Sequence, residues 1–282
     1  MKNVLVTGGN GQLATCIKDI DSRASEYHFI YVDLPDFDIT DKEIVNRLFE
    51  ANDISHCINC AAYTAVDKAE SEKELAYSVN VTGAKNLAEA CDEHHAIMIQ
   101  ISTDFVFDGN QGFSYKENDK TNPLGVYGAT KWQGELAVSQ ALERHFVLRT
   151  SWLYSEFGHN FVKTMQRLGA EREILNVVSD QIGTPTYAGD LAKVILKIVQ
   201  EDINEYGTYH YSNEGVASWY DFAMAIFEIA EINCNVLPIK TEAYPTPAKR
   251  PSFSVMDKSK IKNALQIEIP YWRESLVRCL TN

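Results

Sequence analysis

Tyr127 and Lys131 stand four residues apart in Tyr127-Gly128-Ala129-Thr130-Lys131, just after Asn122-Pro123-Leu124-Gly125. Positions i and i+4 of a helix share a face, so this spacing turns a phenol and an ammonium toward one cleft. A nearby cation favours phenolate and lowers a tyrosine pKa from its ordinary value of about 10, which suits a general acid working near neutral pH. The same spacing also arises as an incidental surface pair, so the pair needs context. Ile99-Gln100-Ile101-Ser102-Thr103-Asp104 supplies some, placing hydroxyls at the end of an apolar run. Ligands of open parallel sheets bind beyond the carboxyl ends of strands, and Thr103 there can hydrogen-bond a substrate carbonyl.

A second chemistry sits near the start of the chain. Thr7-Gly8-Gly9-Asn10-Gly11-Gln12-Leu13-Ala14 follows the run Val4-Leu5-Val6 and opens a helix. Gly8-x-x-Gly11-x-x-Ala14 is a relative of the dinucleotide fingerprint: Gly8 for the tight turn, Gly11 for approach of backbone to a pyrophosphate, Ala14 for close helix–sheet packing. The helix start then offers free N–H groups and a dipole to the phosphates. Asp33 closes the second strand, where a carboxylate accepts from the ribose 2′-hydroxyl of NAD and repels the extra phosphate of NADP. It also reads as a turn residue before Pro35, so it tilts the expected cofactor only slightly toward NADH.

The elements that must position these groups alternate. Strands are expected at Val4–Val6, Phe29–Val32, Ile54–Cys60, Ala96–Ile101 and Phe146–Leu148, with helices over Lys42–Ala51, Glu74–Glu93 and Tyr127–Leu142. Near-continuous apolar strands between helices mean a parallel sheet covered on both faces. The fold class is therefore α/β, a doubly wound parallel sheet of Rossmann-like type with a second, smaller α/β lobe. Residues 1–151 with about 179–212 are expected to bind the dinucleotide, and about 152–178 with 213–282 to form the smaller lobe. A further strand is expected at Thr208–Tyr211, helices over Asp190–Val199 and Trp219–Ile229, and loop through the prolines of residues 244–251.

The chain has 282 residues and a formal net charge of −13, from 26 Lys+Arg against 39 Asp+Glu. That balance argues against a nucleic-acid binder, which needs a basic stripe, and against an anionic membrane surface. It permits a small anion held by backbone N–H groups. No apolar stretch approaches the roughly 18 residues of a membrane span, and the opening residues do not read as a signal peptide, so a cytoplasmic protein with reduced thiols is expected. Cys57 and Cys60 form a CxxC, but a second pair at zinc-ligand spacing is missing, so a buried strand end is the better reading and no metal is expected.

Glycine loop, strand-end hydroxyl and Tyr-x-x-x-Lys, in that order on such a pattern, resemble the extended short-chain dehydrogenase/reductase family. The finer motifs are similar to those of the dTDP-4-dehydrorhamnose reductases within it: Asp38-Ile39-Thr40-Asp41, Ala61-Ala62-Tyr63-Thr64-Ala65-Val66-Asp67-Lys68-Ala69-Glu70, Ser102-Thr103-Asp104-Phe105, Leu148-Arg149-Thr150-Ser151-Trp152, Asp180-Gln181-Ile182-Gly183-Thr184-Pro185 and Arg250-Pro251-Ser252.

The resemblance implies reduction of the C4 ketone of dTDP-4-dehydro-β-L-rhamnose by NADH or NADPH in dTDP-rhamnose biosynthesis. It implies that Gly8, Gly11, Gln12 and Leu13 meet the pyrophosphate, that Asp38 and Ile39 flank the adenine, and that Ala61, Ala62, Tyr63 and Thr64 border the cofactor. It implies Tyr127 as proton donor, Lys131 on the nicotinamide ribose, and Thr103, Asp104 and Trp152 on the sugar. Trp152 also reads as a core aromatic. Arg250 reads either as an ion-pair partner between the lobes or as a guanidinium for the diphosphate, and Lys68 and Glu70 as a solvated helix start. Phe105 stands where the family often has tyrosine. The expected partner is the nucleotide-sugar, and the expected state a monomer or homodimer. Two alternatives stay open: another nucleotide-sugar reductase or epimerase, or a non-catalytic reductase-like regulatory subunit. The second is disfavoured because glycine loop, tyrosine and lysine are all retained.

Overall fold

The computed structural model describes residues 2–201 and 203–281. Five apolar strands, β1 (Lys2–Thr7), β2 (Tyr27–Val32), β3 (Ile54–Asn59), β4 (Ile97–Thr103) and β5 (His145–Thr150), pair in parallel and are joined at one edge by a sixth, Gly207–His210. The order across the sheet is β2, β1, β3, β4, β5 and then Gly207–His210. The chain runs outward from β1 to β2 and returns to β3 on the other side, so the order reverses between β1 and β3. A crevice opens at the carboxyl ends of strands at such a reversal.

Alternation along each strand sends side chains to opposite faces. Val4, Val6, Ile58, Ile99, Phe146 and Leu148 pack on one face with Leu13 and Ile17 of helix α1 (Gln12–Lys18) and with Leu191 and Ile195. Leu5, Cys57 and Met98 pack on the other with α2 (Lys42–Ala51). Each fully buried aliphatic there contributes about 1.5–3 kcal/mol. The first turn of α2 is capped by Asp41, which accepts from the N–H groups of Glu43 and Ile44.

The segment expected as one helix over Glu74–Glu93 is instead divided. The short α3 (Val66–Ala69) precedes α4 (Lys73–Tyr77), a wider π turn over Ser78–Gly83, and then α5 (Ala84–Glu93). Asn80 inside the π turn is buried. It accepts from the N–H of Tyr63 (2.9 Å) and donates to the Tyr63 carbonyl (3.2 Å) and the Thr130 hydroxyl (3.0 Å). Those bonds compensate for the interrupted helical ladder. Tyr127 and Lys131 lie on α6 (Val126–Ala141).

Part of the remaining chain builds a second core, while Ile261 and Leu265 join Leu191 and Ile195 on the first. α7 (Phe161–Glu171), α8 (Ala188–Gln200), α9 (Trp219–Ile229), α10 (Ser259–Leu265) and α11 (Trp272–Thr281) follow, and Ile174–Val178 pairs in parallel with Asn235–Ile239. Met165, Leu175, Phe222, Ile226 and Leu276 are buried together there. α9 begins with a reciprocal cap between Ser218 and Asp221. Among the described residues no helix is long and apolar enough to cross a membrane.

Candidate active site

A cavity of about 840 Å³ opens beyond the carboxyl ends of β1, β3, β4 and β5. Every residue singled out in the sequence for cofactor, substrate or catalysis lines it: Gly8, Gly11, Gln12, Leu13, Asp33, Asp38, Ile39, Ala61, Ala62, Tyr63, Thr64, Thr103, Asp104, Tyr127, Lys131, Trp152 and Arg250.

One end is built from backbone. Gly8 has φ +64°, and a Cβ there would sit 2.8 Å from the Ala61 nitrogen, so only glycine fits. The Gly9 N–H is bonded to the Val32 carbonyl (3.0 Å), which ties the loop to β2. Gly11 is the N-cap of α1, with no side-chain cap. The opening N–H groups of that helix are therefore available to an anion, and the residues present fit a dinucleotide pyrophosphate. Asp33 accepts from the N–H groups of Asn10 and Leu34, both at 2.8 Å. It thus shapes the glycine loop while lining the cavity. Gln12 reaches across to the Leu153 carbonyl (3.3 Å) and accepts from the Ser155 hydroxyl (3.2 Å), clasping the loop that brings Gly158 and His159 to the same end.

The middle is built from β4 and α6. Thr103 closes β4, donates to Asp104 Oδ1 (3.0 Å) and accepts from the Phe105 N–H (3.2 Å). The Phe105 ring meets Tyr127 edge-on at 5.6 Å. Burial pushes the Tyr127 phenol up to about 12; the Thr103 hydroxyl pulls it back and the Asp104 charge pushes it further up. The expectation that Lys131 lowers this pKa does not hold. The Lys131 ammonium is turned to the Ile101 carbonyl (2.6 Å), and burial brings it down to about 8, offset in part by the charge of Glu135. Tyr127 is thus a neutral phenol at pH 7, able to give a proton. Burial also raises the Asp104 carboxyl to about 6, against hydrogen bonds from Ser254 and Thr103.

Behind this wall lies a buried ion pair that the sequence reading missed. Arg149 Nη2 meets Glu135 Oε2 at 2.7 Å, and its Nε reaches both carboxylate oxygens at 3.0 and 3.1 Å. The Ser102 hydroxyl donates to the same carboxylate, and the guanidinium lies over the Phe107 ring at 5.2 Å. Beside it, His210 is pushed down to about 3 by burial and by the Arg149 charge. A signal existed: Tyr127, Lys131 and Glu135 repeat at i, i+4, i+8.

Trp152, with φ +47°, stacks on Trp219 at 3.6 Å and 8°. Trp219 also lines the cavity and donates to Gln181 Oε1 (3.2 Å). Trp152 therefore sits on the cavity wall and packs against another aromatic at once. Arg250 lines the cavity and is ion-paired to Asp67, Nη2–Oδ2 2.7 Å and Nη1–Oδ1 3.1 Å. The guanidinium holds the Asp67 carboxyl below its usual range. Lys68 is exposed as expected, but Glu70 is half-buried and accepts from the Val126 N–H at 2.8 Å, so it is not part of a solvated helix start. Cys57 is buried in β3, whereas Cys60 reaches the cavity.

The sequence matches the family described as RmlD substrate binding domain over residues 1–282. It is 43% identical to a dTDP-4-dehydrorhamnose reductase of Aggregatibacter actinomycetemcomitans, over 98% of this chain and 97% of that one. Its fold superposes on the dTDP-4-dehydrorhamnose reductase of Bacillus anthracis in complex with NADP at a TM-score of 0.96, with 41% identity over 100% and 99% of the two chains. The enzyme of that name from Clostridium acetobutylicum gives 0.94, with 42% identity over 99% and 98%. With likeness of this extent in both sequence and fold, the chain belongs to the RmlD family of dTDP-4-dehydrorhamnose reductases.

Proposed function

We propose that this cleft reduces the C4 ketone of dTDP-4-dehydro-β-L-rhamnose to the alcohol of dTDP-β-L-rhamnose, with NADH or NADPH as reductant and Tyr127 as the proton donor. The observation that carries the reading is the meeting of Thr103 and the neutral Tyr127 phenol in one cavity with the uncapped start of α1. When bound, the nicotinamide supplies the hydride. Tyr127 gives its proton to the carbonyl oxygen as negative charge develops there, and Thr103 donates a hydrogen bond to the same oxygen. Lys131, fixed to the Ile101 carbonyl, holds the nicotinamide ribose and adds positive charge to a protein that is negative overall.

Gly8, Gly11, Gln12 and Leu13 receive the pyrophosphate. Asp33, Asp38 and Ile39 border the adenosine, and residues 61–64 the nicotinamide side. Asp104 and Trp152 contact the sugar, and Arg250 faces the nucleotide diphosphate. On this reading the six-stranded sheet is the dinucleotide half, and residues of about 152–178 and 213–282 close the sugar side.

The test is loss of reduced-nicotinamide absorbance that depends on the ketosugar, run with NADH and NADPH in parallel. Tyr127→Phe is expected to lower turnover by ~10²–10⁴ with nucleotide binding intact. Near-normal turnover in that variant overturns the assignment, and equal rates with the two nucleotides remove the lean toward NADH.

A further inference from the structure

The short helix α3 stands between the Arg250 loop and the helix that carries Tyr127. Asp67, within α3, accepts from both terminal nitrogens of Arg250 and from the Ala248 N–H (3.2 Å). Arg250 in turn donates to Thr246 Oγ1 (2.5 Å) and the Ala248 carbonyl (3.1 Å), so Asp67 grips a loop already knit together. Glu70, just past the other end of α3, accepts at Oε1 from the Val126 N–H at 2.8 Å. Between them Ala69 is fully buried, which anchors the helix.

Val126 is the first residue of α6, and its N-cap, Gly125, provides no side-chain cap. A Cβ on Gly125 would lie 2.6 Å from Glu70 Oε1, so the carboxylate occupies the space where a cap belonging to residue 125 would begin. A carboxylate at a helix start satisfies an otherwise unpaired N–H and complements the helix dipole. Tyr127 is the next residue, and Lys131 lies one turn further along.

We propose that Glu70 is a positioning residue for the proton donor, and that α3 is a two-ended brace: seating of the Arg250 loop on Asp67 is transmitted through Glu70 to the first turn of α6. This rests on the reading of Tyr127 given above.

The test is turnover at saturating reduced nicotinamide. Glu70→Ala is expected to lower kcat by about fivefold to tenfold, less than the ~10²-fold that a 1 Å misplacement of a reacting group costs, with the nicotinamide KM within about twofold of the parent value. Glu70→Gln recovers most of the loss, because its amide oxygen still accepts from the Val126 N–H. Gly125→Ser in the Glu70→Ala background restores kcat, since a serine N-cap then fits the vacated space and the extended backbone of residue 125. Asp67→Asn alone also lowers kcat, and adding it to Glu70→Ala lowers kcat no further, its effect on the KM of the nucleotide-sugar through Arg250 being a separate readout.

Full kcat in Glu70→Ala, no recovery by Gln or by Gly125→Ser, or additive losses with Asp67→Asn would each overturn the brace. Tyr127→Phe separates this failure from that of the functional reading. If Tyr127→Phe turns over normally, the functional reading fails. If it is crippled and Glu70→Ala still costs its full factor in that background, the brace alone fails.

Discussion

Lys131 Nζ is bonded to the carbonyl oxygen of Ile101 at 2.6 Å, which fastens α6 to the end of β4 two residues before Thr103. Helix and strand thereby present their hydroxyls, Tyr127 and Thr103, with a fixed offset. The bond also leaves the ammonium out of water, and burial brings its pKa from 10.5 to about 8. The sign follows from a lowered lysine pKa: the charged form dominates below about 8 and is lost as the pH rises through it. In the free enzyme kcat/KM should fall above about pH 8 along a single ionisation. Lys131→Met should be slow at every pH and lack that limb, and a profile flat to pH 10 would contradict the assignment.

The buried pair of Glu135 and Arg149 gives a stability prediction. Removing one partner strands the other charge in the interior, at a cost of about 3–5 kcal/mol, whereas replacing both with apolar groups of similar volume is far milder. Arg149→Met should therefore lower the free energy of unfolding in urea by about that amount. Arg149→Met combined with Glu135→Leu should regain at least half of it, although Ser102 then loses its acceptor. Equal losses in the single and double variants would mean that the pair is not what makes the site costly to break.

Periodicity explains why much of this was legible. Lys42–Ala51 and Trp219–Ile229 emerge with the bounds that their apolar stripes suggest, and β1–β5 all fall on apolar runs between turn residues. The glycine loop, Thr103 and the Tyr127–Lys131 spacing carry local signals, and local signals survive folding. What stayed hidden depends on distant partners. The π turn at Ser78–Gly83 interrupts an unbroken helical pattern, and its Asn80 is bonded to Tyr63 and Thr130, 17 and 50 residues away. The strand Ile174–Val178 finds its partner only at Asn235–Ile239. Asp67 meets Arg250 across 183 residues, so neither position reveals which of two readings of the arginine is paired with the other.

The stacked indoles of Trp152 and Trp219 both line the cavity. Stacked aromatic pairs are worth about 0.5–1.5 kcal/mol beyond the area they bury, and that energy holds Trp152 in place on the wall. Trp219→Ala should lower the unfolding free energy by at least that amount, raise the KM for the nucleotide-sugar and leave the KM for the reduced nicotinamide unchanged. Trp219→Phe should keep most of the affinity. A rise in the nicotinamide KM instead would place the wall on the wrong ligand.

Asp104 sets site chemistry against stability. Its carboxyl is buried, and its pKa is about 6 against an ordinary 3.8. A carboxyl raised in the folded state favours folding below its unfolded value and loses that advantage as the pH rises through the folded value. At pH 7.5 the ionised group therefore costs stability, about 3 kcal/mol for a rise of about two units. Asp104→Asn should raise the unfolding free energy at pH 7.5 by a sizeable part of that amount, and the gain should shrink toward zero near pH 4. The same substitution should weaken use of the ketosugar, because Asp104 lines the cavity beside Thr103, where the sugar is proposed to bind. A variant no more stable than the parent at pH 7.5, or equally stabilised at pH 4 and pH 7.5, would show that the buried carboxylate is not the source of the cost.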